Sequence, residues 1–363
     1  MIHAFSLMIC LLAGTPKSSG AEVPENLVIV TVDGLRWQEL FTGVDPTLMR
    51  RRDAGVKRQA DHTLMAGLWD ESSAVRRSRL FPYFWGSLVL EGQLWGNRLL
   101  GSRVDSKNRV LKSFAGYAEI LTGRSWDRII TDNRVRPMPG PTLLEVLQDA
   151  KGLGREEVAL FASWARFQSI AAQEPNSFVV NAGFQALTEL SGNKQVQSLN
   201  RRQLEQLTPW TEVRHDFITC ELALEFLRAK NPTVLYLGLG ETDDWAHDGR
   251  YPRVVWAASY FDRCLREFVS YIDTHPKYKG KTLLVITTDH GRGRRVDDWT
   301  KHSRKVAGSE ETWIFMRGPG IGELGEHRDT KTLTLSDIAP TILKQMGYPS
   351  TMLPGTVGRS FLP

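Results

Sequence analysis

Leu27-Val28-Ile29-Val30-Thr31-Val32-Asp33-Gly34 is a run of apolar and β-branched residues that ends abruptly at an Asp-Gly turn. A run this short, rich in Val and without polar alternation, reads as a strand buried on both faces. The pattern recurs at Val158–Ala162, Thr233–Leu239, Thr282–Thr287 and Thr312–Met316. Between these runs lie helical periodicities: Thr142–Ala150, Val213–Ala229 with Phe217, Leu224 and Leu227 on one face, and Val254–Ile272 with Ala258, Phe261, Leu265, Phe268 and Ile272. A last helix is expected to start near Asp337, with Ser336 as its N-cap, and to end before Gly347. Strands alternating with helices predict an α/β fold, a mainly parallel sheet between helices in three α/β/α layers.

The chain has 363 residues, 41% hydrophobic and 24% charged, which excludes a disordered protein and allows a sizeable core. No linker or repeat divides it, so residues 22–363 are expected to form a single catalytic domain. A helical excursion is expected at about 45–105, around Phe81-Pro82-Tyr83-Phe84-Trp85. Residues 1–21 hold an apolar run from Ala4 to Gly14 followed by Ser19-Gly20-Ala21, which resembles a signal peptide and points to a periplasmic or secreted protein. The run is too short to span a membrane. Without it, 45 basic side chains face 41 acidic ones, a mild excess. Arg50-Arg51-Arg52 and Arg76-Arg77-Ser78-Arg79 suit either an anionic ligand or a solvated surface, the surface being the favoured reading, and no nucleic-acid motif is present. Cys220 and Cys264 are equally compatible with a disulfide and with two buried thiols.

Three predicted strands run directly into acidic or histidine-bearing turns: Asp33-Gly34, Glu241-Thr242-Asp243-Asp244-Trp245-Ala246-His247, and Asp289-His290-Gly291. Ligands of open α/β sheets bind beyond the carboxyl ends of the strands, so these turns are expected to converge. With the later His302 they offer enough oxygen and nitrogen donors for two divalent ions. Asp243 and His247 are four residues apart, which one helical turn places on the same side, while the adjacent Asp289 and His290 are expected to diverge from an irregular turn toward two different ions. Singly, Asp33 reads as an ordinary turn residue and His302 as a surface histidine; the joint pattern favours a metal centre.

The segment Lys112-Ser113-Phe114-Ala115-Gly116-Tyr117 through Thr122-Gly123 reads as a short helix with Ser113 as N-cap and Gly123 past its end. A serine there has backbone amides and a positive dipole end beside it, both suited to a phosphoryl oxygen.

Taken in order, Asp33-Gly34, Ser113 through Thr122-Gly123, Asp243-x-x-x-His247, Asp289-His290-Gly291 and His302 resemble the alkaline phosphatase superfamily, in its nucleotide pyrophosphatase/phosphodiesterase and sulfatase-like hydrolase branch. Gly318-Pro319-Gly320-Ile321 and Asp337-Ile338-Ala339-Pro340-Thr341 resemble that family's closing segment. The resemblance implies two divalent ions, zinc in many members, with Asp243, His247 and His302 on one and Asp33, Asp289 and His290 on the other, bridged through Ser113. It implies that Ser113 is the nucleophile of a phosphoryl-serine route on a small-molecule phosphate ester, monoester or diester, with Lys112, Phe114 and Gly116 at the substrate. Two departures stand out. Gly116 occupies the position where the diesterase branch carries a phosphoryl-contacting asparagine, and Ser113-Phe114-Ala115-Gly116-Tyr117 lacks the motif that sulfatases convert to formylglycine. A phosphonate or sulfate ester hydrolase on the same centre is the rival reading, and a non-catalytic metal-binding relative is the rival from another class. A metal-independent serine hydrolase is disfavoured because Ser113 is not in a nucleophile elbow.

Overall fold

The computed structural model describes residues 23–362, so the expected signal segment 1–21 lies outside the described residues. The main sheet has eight strands: β1 (Asn26–Val32), β2 (Gln93–Trp95), β3 (Val158–Ala162), β4 (Val179–Ala182), β5 (Val234–Leu239), β6 (Thr282–Thr287), β7 (Ile314–Arg317) and β8 (Gly325–Glu326), in the spatial order β8-β2-β7-β6-β1-β5-β3-β4. The five strands from β4 to β6 pair in parallel, and β7 alone runs against its neighbours. This is the mainly parallel sheet the sequence pattern predicts.

The twelve α-helices are α1 (Trp37–Thr42), α2 (Gln59–Leu68), α3 (Ser73–Leu80), α4 (Pro82–Gly86), α5 (Ser113–Thr122), α6 (Leu143–Lys151), α7 (Phe167–Ile170), α8 (Lys194–Glu205), α9 (Asp216–Lys230), α10 (Glu241–His247), α11 (Tyr251–Thr274) and α12 (Ile338–Gln345), counted among the described residues. They cover both sheet faces because strand side chains alternate. Val28, Val30 and Val32 of β1 join Leu235 and Leu237 of β5 in a core shared with α3, α4, α9 and α11. Leu27 and Ile29 join Tyr236, Leu283 and Val285 in a second core under α5, α6 and α12. A sheet with an apolar core on each face explains why its central strands read as continuous hydrophobic runs.

Several expectations shift. The run Thr312–Met316 is divided at Trp313: Glu311–Thr312 pairs with Val104–Asp105 in a small separate sheet, and β7 begins at Ile314. Trp313 is fully buried at the break and donates its indole N–H to the Leu35 carbonyl at 3.0 Å. The 45–105 excursion is largely helical, yet Gln93–Trp95 returns to the main sheet as β2, too short a run to stand out by pattern. Ser336 does not cap the last helix. Thr334 and Asp337 form a capping box before it, while the Ser336 hydroxyl donates to Glu119 at 2.8 Å. The cations of the second basic cluster are not simply solvated: Arg76 is buried and donates to the Thr42, Asp70 and Glu71 carbonyls. Arg77 lies 3.5 Å over the Trp85 ring and pairs with Glu326.

Cys220 of α9 and Cys264 of α11 form a disulfide across 6.3 Å between Cα atoms. The covalent link joins two helices that pack on the same sheet face. Replacing both cysteines with serine is expected to lower unfolding free energy by about 2–4 kcal/mol, checked by urea denaturation of the two proteins side by side.

Candidate metal centre

β1, β5 and β6 are adjacent and parallel, so their carboxyl ends deliver Asp33, α10 and the Asp289-His290 turn to one place. Gly34 turns the chain at φ +58°, and a Cβ there would fall 2.5 Å from Asp243 Oδ1, so only glycine permits the approach. Its backbone N–H donates to Asp289 Oδ1 at 3.0 Å, and the Thr242 hydroxyl donates to the Asp33 carbonyl at 2.5 Å. These bonds lock the three turns together.

The donors fall into two groups. Asp243, His247 and His302 present ligand atoms within 4.8 Å of one another, as do Asp33, Asp289 and His290, so the adjacent Asp289 and His290 share one group instead of diverging toward two. Within the first, His247 Nε2 is 3.1 Å from Asp243 Oδ2 and 3.0 Å from His302 Nε2. Within the second, His290 Nε2 is 3.4 Å from Asp33 Oδ1 and 3.2 Å from Asp289 Oδ2. The His290 and His302 rings stack at 3.7 Å between centroids, so the groups share a wall.

The tautomers can be reasoned from the outer partners. His302 donates its Nδ1–H to the Leu111 carbonyl at 2.8 Å, and His290 donates its Nδ1–H to the Gly291 carbonyl at 2.9 Å. Burial holds both imidazoles below their ordinary value, His302 well below it. Each ring is therefore neutral with a bare Nε2 lone pair, and these lone pairs face carboxylates and another imidazole. Burial, with the Asp289 and Asp244 charges adding to it, pushes the Asp33 carboxyl well above its ordinary value, and burial also raises Asp289. Asp289 Oδ2 is buried without a hydrogen-bond partner. Crowded acceptors with an orphaned carboxylate oxygen fit divalent cations, whose charge would relieve all of these contacts at once.

Ser113 is the first residue of α5 rather than its cap. Leu111 takes a left-handed φ of 51° and Lys112 is extended, so Lys112 is the capping residue, while Gly123 closes the helix in the left-handed conformation as expected. The Ser113 hydroxyl can donate to His290 Nε2 at 3.2 Å and lies 3.5 Å from Asp33 Oδ1. It opens on a cavity of about 170 Å³ lined by Asp33, Lys112, Asn133, Trp164, Val213, Gly240, Asp243, Asp244, His247 and His302.

Two expected substrate contacts are corrected. The Phe114 side chain is fully buried in the core under α5, since the residue after Ser113 points to the sheet. Its backbone N–H donates to Asn133 Oδ1 at 3.1 Å. Gly116 packs against the Asp289 backbone, where a Cβ would meet the carbonyl oxygen at 2.3 Å. The missing asparagine of that position is thus a steric necessity here, because α5 approaches the Asp289 turn too closely for any side chain.

Several site residues escaped the sequence reading. Tyr117, one helical turn after Ser113, donates its hydroxyl to Asp33 Oδ2 at 3.0 Å, a relation its i+4 spacing could have suggested. Arg292, two residues beyond His290, is buried, donates to the Trp299 carbonyl at 3.0 Å and pairs with Asp243. Burial brings its guanidinium down to about 9. Asp216 receives the Gly240 and Glu241 N–H groups at 2.8 and 3.1 Å and so holds the start of α10. Burial, with the Glu241 charge adding to it, raises Asp216 to about 7. Asn133, Trp164 and Val213 come from loops whose composition carried no signal.

Comparison with known proteins agrees with this geometry. Residues 185–350 match the model of the Metalloenzyme superfamily. A 2,3-bisphosphoglycerate-independent phosphoglycerate mutase of Synechococcus sp. (strain JA-2-3B'a(2-13)) is 29% identical over 39% of this chain and 26% of its own length. The chain thus spans about a quarter of the length of the curated relatives it matches. Among solved structures, wild-type alkaline phosphatase PafA superposes with a TM-score of 0.62 at 13% identity, covering 94% of this chain and 98% of that one. The phosphonate monoester hydrolase SpPMH from Silicibacter pomeroyi superposes at 0.54 with 15% identity, over 93% and 76% of the two chains. The fold is alkaline-phosphatase-like, in agreement with the fold expected from the sequence.

Gly116→Ala offers a sharp check on this packing. In an ordinary helix the change stabilises by about 0.5–1 kcal/mol, but here overpacking is expected to reverse the sign and cost about 1–3 kcal/mol in urea denaturation.

Proposed function

We propose that this chain is a metal-dependent hydrolase of phosphate esters, monoester or diester, working through a phosphoryl group carried on Ser113. The observation that carries the reading is the placement of the Ser113 hydroxyl, 3.2 Å from His290 Nε2 at the start of α5 and in the cavity that Asp243, His247 and His302 also line. Asp243, His247 and His302 would hold one ion, and Asp33, Asp289 and His290, with Ser113, the other. The mixed imidazole and carboxylate donors suit zinc. When bound, the two ions supply Lewis acidity that favours the serine alkoxide and offsets charge on the phosphoryl group.

The chain's own residues do the rest. Ser113 Oγ releases its proton to solvent and forms a bond to phosphorus as the ester P–O bond breaks, and the departing alkoxide takes up a proton from water. Water then attacks phosphorus, the Oγ–P bond breaks, a proton from solvent restores the serine hydroxyl, and phosphate, or a phosphate monoester when the substrate is a diester, is released. The N-terminal end of α5 favours the anionic phosphoryl oxygens. Lys112 lines the cavity as a cation, and Asn133, whose Oδ1 is engaged by the Phe114 N–H, keeps its amide NH₂ as a donor there. Tyr117 fixes the orientation of Asp33.

Residues 22–363 would form this single catalytic domain, and residues 1–21 would direct it to the periplasm or the exterior. The Cys220–Cys264 disulfide supports an oxidising compartment. No helix of the described residues is long and apolar enough to cross a membrane. Intact mass of protein from its native host should correspond to a chain starting near Glu22 with both cysteines oxidised; a full-length reduced species would reject export.

Turnover on nitrophenyl phosphate, phosphodiester, phosphonate and sulfate esters tests the reaction, and dominant sulfate or phosphonate turnover would move the assignment to the rival on the same centre. Ser113→Ala is expected to keep close to two metal ions per chain and lose about 10⁴-fold or more in turnover. Asp289→Asn should instead lose metal, measured on the same samples by elemental analysis. Rapid quenching with a labelled phosphate ester should leave label on the peptide containing Ser113. Wild-type turnover in Ser113→Ala without a labelled peptide would refute the covalent route.

A further inference from the structure

The cavity at Ser113 holds about 170 Å³, whereas sites for whole small molecules run to roughly 300–1,000 Å³. It accommodates a phosphoryl group, so the remainder of a substrate must rest on the surface next to it. A groove of about 400 Å³ adjoins, lined by Arg109, Lys112, Asp127 and Arg304 with Val110, Thr131 and Ser303. Lys112 belongs to both walls. The hydrogen bond from His302 Nδ1 to the Leu111 carbonyl ties the segment carrying Arg109 and Lys112 to the one carrying Arg304, which brings cations from distant parts of the chain around one groove.

These cations have no protein partners. Among the described residues, Arg109, Lys112 and Arg304 make no side-chain hydrogen bond or ion pair, unlike Arg136 with Asp132, Arg166 with Glu212 and Arg294 with Glu311. The groove's one carboxylate, Asp127, already accepts the Arg109 backbone N–H at 3.0 Å. Three cations against one carboxylate leave a net positive wall beside a site for an anion. Unpaired arginines arranged about a concave surface suit a carboxylate or phosphate.

Resting on the phosphate-ester reading above, we infer that the substrate carries a second anionic group, a carboxylate or a further phosphate, which Arg109, Lys112 and Arg304 hold while the scissile phosphoryl group sits at Ser113. The groove thereby selects doubly anionic esters over esters with a neutral leaving group.

Calorimetric titration of the zinc-loaded protein with propylphosphonate, 3-phosphonopropanoate and propane-1,3-bisphosphonate tests this without turnover, since none of the three is an ester. The expected result is that one or both of the doubly anionic ligands bind about tenfold more tightly than propylphosphonate, and the stronger of the two identifies the second group as carboxylate or phosphate. The double variant Arg109→Gln/Arg304→Gln should reduce that advantage to under about twofold, and Arg109→Lys/Arg304→Lys should retain much of it because the charge remains. Equal affinity for all three in the wild type, absence of binding, or an advantage that survives the glutamine substitutions would overturn the proposal. The outcome is separable from the fate of the serine mechanism, because a Ser113→Ala protein with full turnover would refute the mechanism and leave these affinities unchanged as evidence.

Discussion

Thr31 of β1 lies opposite Gly238 of β5 on one side and Thr287 of β6 on the other, so three parallel strands end at the same level. Every candidate ligand except His302 and Ser113 follows from that alignment. Asp33 leaves β1 directly, and α10 and Asp289-His290 each begin two residues beyond the ends of β5 and β6. A slip of one residue in either pairing would turn alternate side chains to the wrong face and separate the carboxylates. The register is held by two apolar cores, one on each face, and so the geometry of a polar centre is set mainly by hydrophobic burial elsewhere.

The centre gathers charge that the fold then has to contain. Asp33, Asp289, His290 and His302 are all buried, and burial opposes ionisation of each. The surrounding bonds are consistent in orientation: Tyr117 and Gly34 direct donors to the carboxylates, while the Leu111 and Gly291 carbonyls receive the outer edges of the two rings. Such partners fix which atoms point inward. Arg292 adds a buried cation on Asp243, so this carboxylate is shared between a guanidinium and the ligand group of His247 and His302.

Most of the sheet and the convergence of the donors were legible from short apolar runs and what stands at their ends, whereas the division into two groups came from the family resemblance, since the adjacency of Asp289 and His290 suggested the opposite sorting. Buried parallel strands announce themselves as unbroken apolar runs, and the acids and histidines stand where those runs stop. What could not be read depended on contacts distant in sequence. β2 has only three residues and exists because β7 offers it an edge. Phe114 and Gly116 looked like substrate contacts from their closeness to Ser113, but a helix directs successive side chains about 100° apart, and these two face the core and the Asp289 backbone. Asn133, Trp164 and Arg292 required knowledge of which loops meet.

The disulfide between α9 and α11 has a consequence for two of the six acidic and histidine ligands. Cys220 and Cys264 enclose β5 and α10, so Asp243 and His247 lie on a covalent ring whose closure does not depend on the fold. When the helices around them loosen, that ring limits how far the pair can drift from the scaffold, since closure removes extended conformations from the unfolded ensemble. Asp33, Asp289, His290 and His302 lie on the open chain outside it. Asp243 and His247 therefore differ in tether length from the other four ligands, their own group-mate His302 included, and a reducing environment would abolish that difference without touching a single ligand atom.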